Sequence, residues 1–167
     1  MSEDGIPEEL AEMGAGARAL AETLQAVARG FGVEARIAVT PGEEGTVVGA
    51  MDGEDVTALV GKGGGTIDAI QYLATQIVSR AEGGARRRVT VDAGGYRARR
   101  AAALEELALR AAEEAVEYGE EIELDAMTPH DRRIVHLALQ GRTDVVTRSE
   151  GEEPRRRIIV EPADPAD

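Results

Sequence analysis

The segment Gly61-Lys62-Gly63-Gly64-Gly65 puts four glycines in five positions. Neither a helix nor a strand passes through such a run cheaply, because each glycine gives up backbone entropy and packs no side chain. The chain has to turn here. Beyond the run, Ile67, Ile70, Ala74 and Ile77 recur at helical spacing and predict a helix over roughly 66–80 with those residues inward. Before it, residues 54–60 fit a shorter helix. The result is a helix–loop–helix whose loop carries one cation, Lys62, and no other side chain.

The flanking pattern extends this into a domain. Ile6, Leu10, Met13, Ala17, Leu20, Leu24 and Val27 predict a helix over 6–30, stopped by Gly30 and Gly32. Val33, Ala35, Ile37 and Val39 alternate with polar residues as in a half-buried strand. Residues 41–45, PGEEG, read as a turn, and Thr46 to Met51 as a second strand. After the breaker Gly83-Gly84, Arg86 to Asp92 reads as a third strand. The order αββααβ implies one sheet with helices on one face, an α+β unit over 6–93.

Past Gly94-Gly95 a helix is predicted over 97–118, with Leu104, Leu107, Ala108, Ala111 and Ala115 inward. Glu121 to Leu124 reads as a short strand. Thr128-Pro129-His130-Asp131 combines an N-cap, a proline at the first helical position and an acid in the first turn. That helix runs to about Gln140, with Ile134, Val135, Leu137 and Leu139 making core contacts. Residues 145–147 and 157–160 pair as a hairpin around 149–154. A second small domain over 96–161 is therefore expected, with helix plus three-stranded sheet, followed by a disordered acidic tail over 162–167.

Charge bears on partners. The net charge is −13, which opposes a polyanionic ligand, but residues 61–100 hold eight of the 19 bases and only three of the 32 acids. The absence of cysteine fits a reducing compartment and excludes thiolate metal sites. The acidic start MSEDGIPEEL does not read as a signal peptide, and no apolar run is long enough for a membrane span. A cytoplasmic protein without direct membrane insertion is expected.

Two motifs carry chemistry. In Gly61-Lys62-Gly63-Gly64 the bare backbone lets a phosphodiester approach, the following helix offers free N–H groups, and Lys62 adds charge. Twenty glycines make the Gly-x-x-Gly spacing unspecific, and Gly42-Glu43-Glu44-Gly45 repeats it between strands with two acids. A tight interhelical turn with no ligand fits the spacing equally. Lys62 is followed by glycine rather than Ser or Thr, so this is not a nucleotide-binding P-loop. Further on, Arg132 and His136 are one helical turn apart and share a face, with Arg133 beside them. Such a face can bind phosphate through the guanidinium and a neutral imidazole. A solvated face, or a histidine tying helix to sheet, fits the same spacing.

Taken together, these motifs resemble a known family. Residues 60–73, VGKGGGTIDAIQYL, are similar to the KH signature of the bacterial SpoIIIJ-associated Jag proteins, also called KhpB. Residues 127–139, MTPHDRRIVHLAL, resemble their Arg-x3-His module. Tyr96-Arg97 and the hairpin 147–154 fit the same family. The resemblance covers roughly residues 10–160. It implies a type II KH fold followed by an Arg-x3-His domain, in a short form without the N-terminal domain of longer relatives. It implies a cytoplasmic regulator that binds single-stranded RNA or single-stranded DNA, linked to cell envelope, shape or division, with a second small KH protein as a partner. By the same resemblance, Gly61, Lys62, Gly63, Gly64 and Thr66 form a backbone clamp, and Arg132, Arg133 and His136 a second contact. Gly63 stands where many relatives carry a basic residue, which weakens the expected phosphate affinity.

No nucleophile stands in a catalytic setting, and no paired carboxylates or metal-ligand spacing stand out, so no enzyme, cofactor or metal is expected. The competing reading is a protein–protein adaptor, favoured by the acidic balance and by an aromatic content of 2%.

Overall fold

The computed structural model describes residues 14–163. It is an α+β protein that divides into two compact units, Met1–Tyr96 and Arg97–Asp167. Each has its own three-stranded sheet and hydrophobic core.

The first unit opens with α1 (Gly14–Gly30), whose Ala17, Leu20, Ala21 and Leu24 are buried. The part of the predicted helix over 6–13 lies outside the described residues. Next come β1 (Arg36–Pro41) and β2 (Val47–Asp52), joined by a turn at Glu43–Gly45. Then follow a 3-10 turn at Val56–Leu59, α2 (Gly65–Ala81) and β3 (Val89–Ala93). The sheet order is β1-β2-β3, antiparallel between β1 and β2 and parallel between β2 and β3. Helices α1 and α2 pack on each other and on this sheet. The order is the expected αββααβ, with the first of the two middle helices reduced to a single turn.

Two expectations change here. Ile77 is exposed, and Val78 takes the inward place beside Ile67, Ile70 and Ala74. At about 100° per residue, Val78 lies nearer the centre of the stripe set by Ile67 and Ala74. The third strand begins at Val89, so Arg86, Arg87 and Arg88 belong to the approach and not to the strand. Arg87 is tied locally, its Nε donating to Gly45 O (3.2 Å) and its Nη1 to Glu82 Oε1 (2.5 Å). The outer edge of β3 is partly closed from within: Val91 N–H donates to Gln71 Oε1 of α2 at 2.9 Å.

The second unit contains α3 (Tyr96–Tyr118, whose first residue still belongs to the first unit), β4 (Ile122–Glu123), α4 (Pro129–Leu139), β5 (Val145–Glu150) and β6 (Arg157–Pro162). Its sheet has the order β4-β6-β5, antiparallel throughout. Leu104, Ala108, Ala111 and Ala115 of α3 meet Val135 and Leu139 of α4 and Ile158 and Val160 of β6 in one core. Small alanines on α3 keep the packing close without aromatic bulk.

Leu137 is exposed, contrary to expectation, because it sits about 200° round the helix from the buried Val135. The tail does not begin at Pro162. Pro162 closes β6 opposite Val145, and Ala163 N–H donates to Asp144 O at 2.8 Å. The remainder of the expected tail, 164–167, lies outside the described residues.

Candidate nucleic-acid interface

In the first unit the glycine run forms a tight 3-10 turn, Lys62–Gly64, directly before α2. Gly61 and Gly64 are required twice over. Both have left-handed backbones, with φ of +70° and +82°. A Cβ on Gly61 would lie 2.0 Å from Thr66 Oγ1, and one on Gly64 would lie 2.8 Å from Tyr96 Oη. Thr66 thus packs on the first glycine and shapes the loop, and Gly64 is buried. Lys62 and Gly63 are the exposed tip.

The expectation of free N–H groups at the start of α2 is corrected. Val60 O accepts both Thr66 N–H and Ile67 N–H at 3.1 Å. Gly65 N–H donates to Lys62 O, and Gly64 N–H to Gly61 O. The left-handed glycines turn the chain so sharply that its own carbonyls cap the helix. What the loop offers an anion is therefore the tip, with the Lys62 ammonium and a bare backbone at Gly63.

In the second unit the sequence signal at Thr128 forms as predicted. Thr128 Oγ1 accepts from Asp131 N–H at 3.3 Å, and Pro129 occupies the first turn. Arg132 and His136 follow on α4 and line one open depression of about 610 Å³ with Arg133, Leu137, Ser149 and Arg156. Their situations differ. Arg132 is only 8% exposed. Its Nη1 donates to Met127 O at 2.7 Å and its Nη2 to Glu153 Oε1 at 2.6 Å. Arg133 is exposed. His136 is half-buried, and its Nδ1 lies 2.7 Å from Thr147 Oγ1 on β5. Burial first, and then the nearby Arg132 charge, hold its pKa below the ordinary imidazole value. The ring is therefore neutral near pH 7, and its Nε2 remains for a ligand.

Sequence reasoning missed Arg156 and Ser149. Arg156 Nε donates to Ser149 Oγ at 2.9 Å and its Nη2 to Ser149 O at 3.4 Å. Ser149 lies in what reads as a hairpin loop and Arg156 just before the last strand, and the structure brings both beside α4. Among the described residues, no group of three or more His, Asp or Glu converges as a metal site.

Residues 102–162 match the family model of the Arg-x3-His domain. The chain is 41% identical over 110 residues to the RNA-binding protein KhpB of Clostridium symbiosum, which is 66% of this chain and 49% of that one. It is 36% identical over 143 residues to the RNA-binding protein KhpB of Lactiplantibacillus plantarum, covering 86% of this chain and 44% of the relative. The RNA-binding protein KhpB of Bacillus subtilis is 31% identical over 139 residues, 82% of this chain and 66% of the relative. The chain belongs to the KhpB/Jag family. It spans about half the length of the first two KhpB relatives. The matched domain contains Arg132, Arg133 and His136 as well as Ser149 and Arg156, so the whole depression falls within it.

Proposed function

We propose that this chain binds single-stranded RNA through two separate contacts, the Lys62–Gly63 tip and the depression around His136, and that it catalyses no reaction. The observation that carries the reading is the tip itself. It is exposed and free of side chains except for one ammonium, and locked glycines hold it in place. A phosphodiester can approach the Gly63 backbone while Lys62 neutralises it. In the depression, a neutral His136 donates from Nε2 when Nδ1 accepts from the Thr147 hydroxyl. The relatives' names, RNA-binding protein KhpB, support the same ligand class. On this reading the protein is a cytoplasmic post-transcriptional regulator linked to cell envelope, shape or division, with single-stranded DNA as an alternative ligand and a second small KH protein as partner. Among the described residues no helix is long and apolar enough to cross a membrane.

The test is fluorescence anisotropy with a short single-stranded RNA. Replacing Lys62 and Gly63 by Asp-Asp puts two carboxylates at the tip and should weaken binding at least tenfold, about 1.4 kcal/mol. Unchanged affinity in the folded double variant would remove the clamp from the reading.

A second reading, the adaptor, is favoured by Tyr72, Leu73 and Ile77, which are exposed together on α2. If wild-type protein ignores single-stranded RNA at low salt, the adaptor stands in its place.

A further inference from the structure

We infer that Arg156 and Arg133 are the phosphate ligands of the second-unit depression, and that Arg132 is a positioning residue acting on Arg156 through Met127. This inference rests on the RNA-binding reading above and assigns that site its ligand atoms.

Arg132 faces the same depression as His136, yet both of its Nη atoms are engaged inside the unit. A phosphate reaching Arg132 would have to displace the Glu153 carboxylate, at 2.6 Å, and would then meet that carboxylate as a neighbour. An arginine so buried and so paired holds structure more readily than it greets a ligand. What it holds can be traced. Arg132 Nη1 bonds Met127 O at 2.7 Å, and Met127 N–H donates to Arg156 O at 3.2 Å. One residue away from the Arg132 guanidinium contact, the Arg156 backbone is fixed in place.

Arg156 is built to present a charge. Its Nε and Nη2 are anchored on Ser149, so the guanidinium plane is set before any ligand arrives. Among the described residues nothing else bonds it and no carboxylate pairs with it, which leaves Nη1 for an oxyanion. Arg133, one residue beyond Arg132 on α4, is exposed, and among the described residues no ion pair is formed by it. The depression therefore carries two arginines without counter-ions among the described residues and one neutral imidazole, and these come from α4 on one side and from the residue preceding β6 on the other. A phosphate oxygen suits this set, since a guanidinium gives directed, charge-assisted bonds and a neutral Nε2–H can donate a third.

The experiment uses the full chain and two probes. With single-stranded oligouridylate, Arg156→Gln and Arg133→Gln should each weaken binding about tenfold and lower the slope of log affinity against log salt by about 0.7, the loss of one phosphate contact. Arg132→Lys, which keeps the charge but not the paired geometry, should weaken binding with the slope unchanged. With inorganic phosphate, followed by NMR, the Arg156 Nε–H and His136 ring signals should shift in the wild type, and the His136 ring signals should stay fixed in Arg156→Gln. Wild-type affinity and slope in the folded Arg133→Gln/Arg156→Gln double variant overturn the assignment. So does a salt slope lowered by Arg132→Lys as much as by Arg156→Gln. If wild-type protein binds no RNA, the RNA reading fails by itself. The phosphate titration then decides the anion site alone, its shifts upholding it and their absence overturning it.

Discussion

Arg100 on α3 grips Asp131 on α4 through a single oxygen. Nε and Nη2 both bond Asp131 Oδ2, at 3.1 and 2.8 Å, and the carboxylate is almost fully buried. The backbone N–H of the same aspartate is taken by Thr128. One acid thus joins the start of α4 to α3 within the second unit. Arg100 is one-third exposed, so removing it leaves a buried carboxylate without its partner but close to water, at about 1–3 kcal/mol. Arg100→Ala should therefore destabilise the second unit by about that much in urea unfolding, and Asp131→Asn should cost less because the carboxamide still accepts a bond. Equal stability of wild type and Arg100→Ala would show that the pair adds nothing.

Gly61→Ala should be costly for two separable reasons. The left-handed backbone penalises any Cβ by about 1–2 kcal/mol, and this Cβ would also collide with Thr66 Oγ1. In a Gly61→Ala/Thr66→Ala double variant the contact with Oγ1 is removed, but the 2.7 Å contact with the Cβ of residue 66 and the backbone strain both remain. Thermal unfolding should show partial recovery only. Full recovery would mean that φ at Gly61 carries no strain.

The pH response of His136 should run in opposite directions for folding and for binding. Its pKa in the fold is lowered, mainly by burial, so below about pH 6.5 the unfolded chain takes up the proton first. The stability it contributes is present above that pH and is lost as pH falls through the lowered value. A bound phosphate raises the same pKa, so RNA affinity should increase as pH drops from about 7 to 6. Anisotropy titrations across this range should show the gain in wild type and a flat profile in His136→Gln. A gain of equal size in both would assign it elsewhere.

Arg86 and Arg87 should separate stability from binding. Arg87 ties the approach to β3 both to the Gly45 carbonyl and to Glu82. Arg87→Ala should cost about 1–2 kcal/mol. Arg86 is exposed and lines a depression of about 970 Å³ with Thr75, Gln76 and Ser79 near the end of α2. Helix α2, 17 residues long, spans roughly 25 Å from the glycine tip to that depression. Arg86→Ala should leave stability unchanged and weaken long RNA more than a tetranucleotide. Equal losses on both lengths would confine the RNA to the tip.

The sequence was most legible where chemistry is local. Thr128-Pro129 announces the start of α4 because a cap and a proline act within one turn. The glycine run announces its turn for the same reason. The element order could be read from periodicity, although neighbouring apolar residues such as Ile77 and Val78 compete for one stripe and only packing chooses between them. The candidate site was half legible. The spacing of Arg132 and His136 puts them on one face, but the partners that decide their roles stand far off in the chain: Glu153 for Arg132 and Thr147 for His136. Arg156 was invisible because its place beside α4 depends on β5 pairing with β6 as far as Glu150 opposite Arg157.

The bond from Val91 to Gln71 bears on how the first unit lives at high concentration. An open sheet edge invites a strand from a neighbouring molecule, and proteins usually guard against this with charge, proline or a bulge. Here a carboxamide from the overlying helix occupies the outward donor in the middle of β3 and leaves the strand itself regular. Position 71 therefore serves two clients, helix attachment and protection from self-association. A shorter or apolar residue there would be tolerated poorly in a crowded cell, even where the isolated fold survives the change.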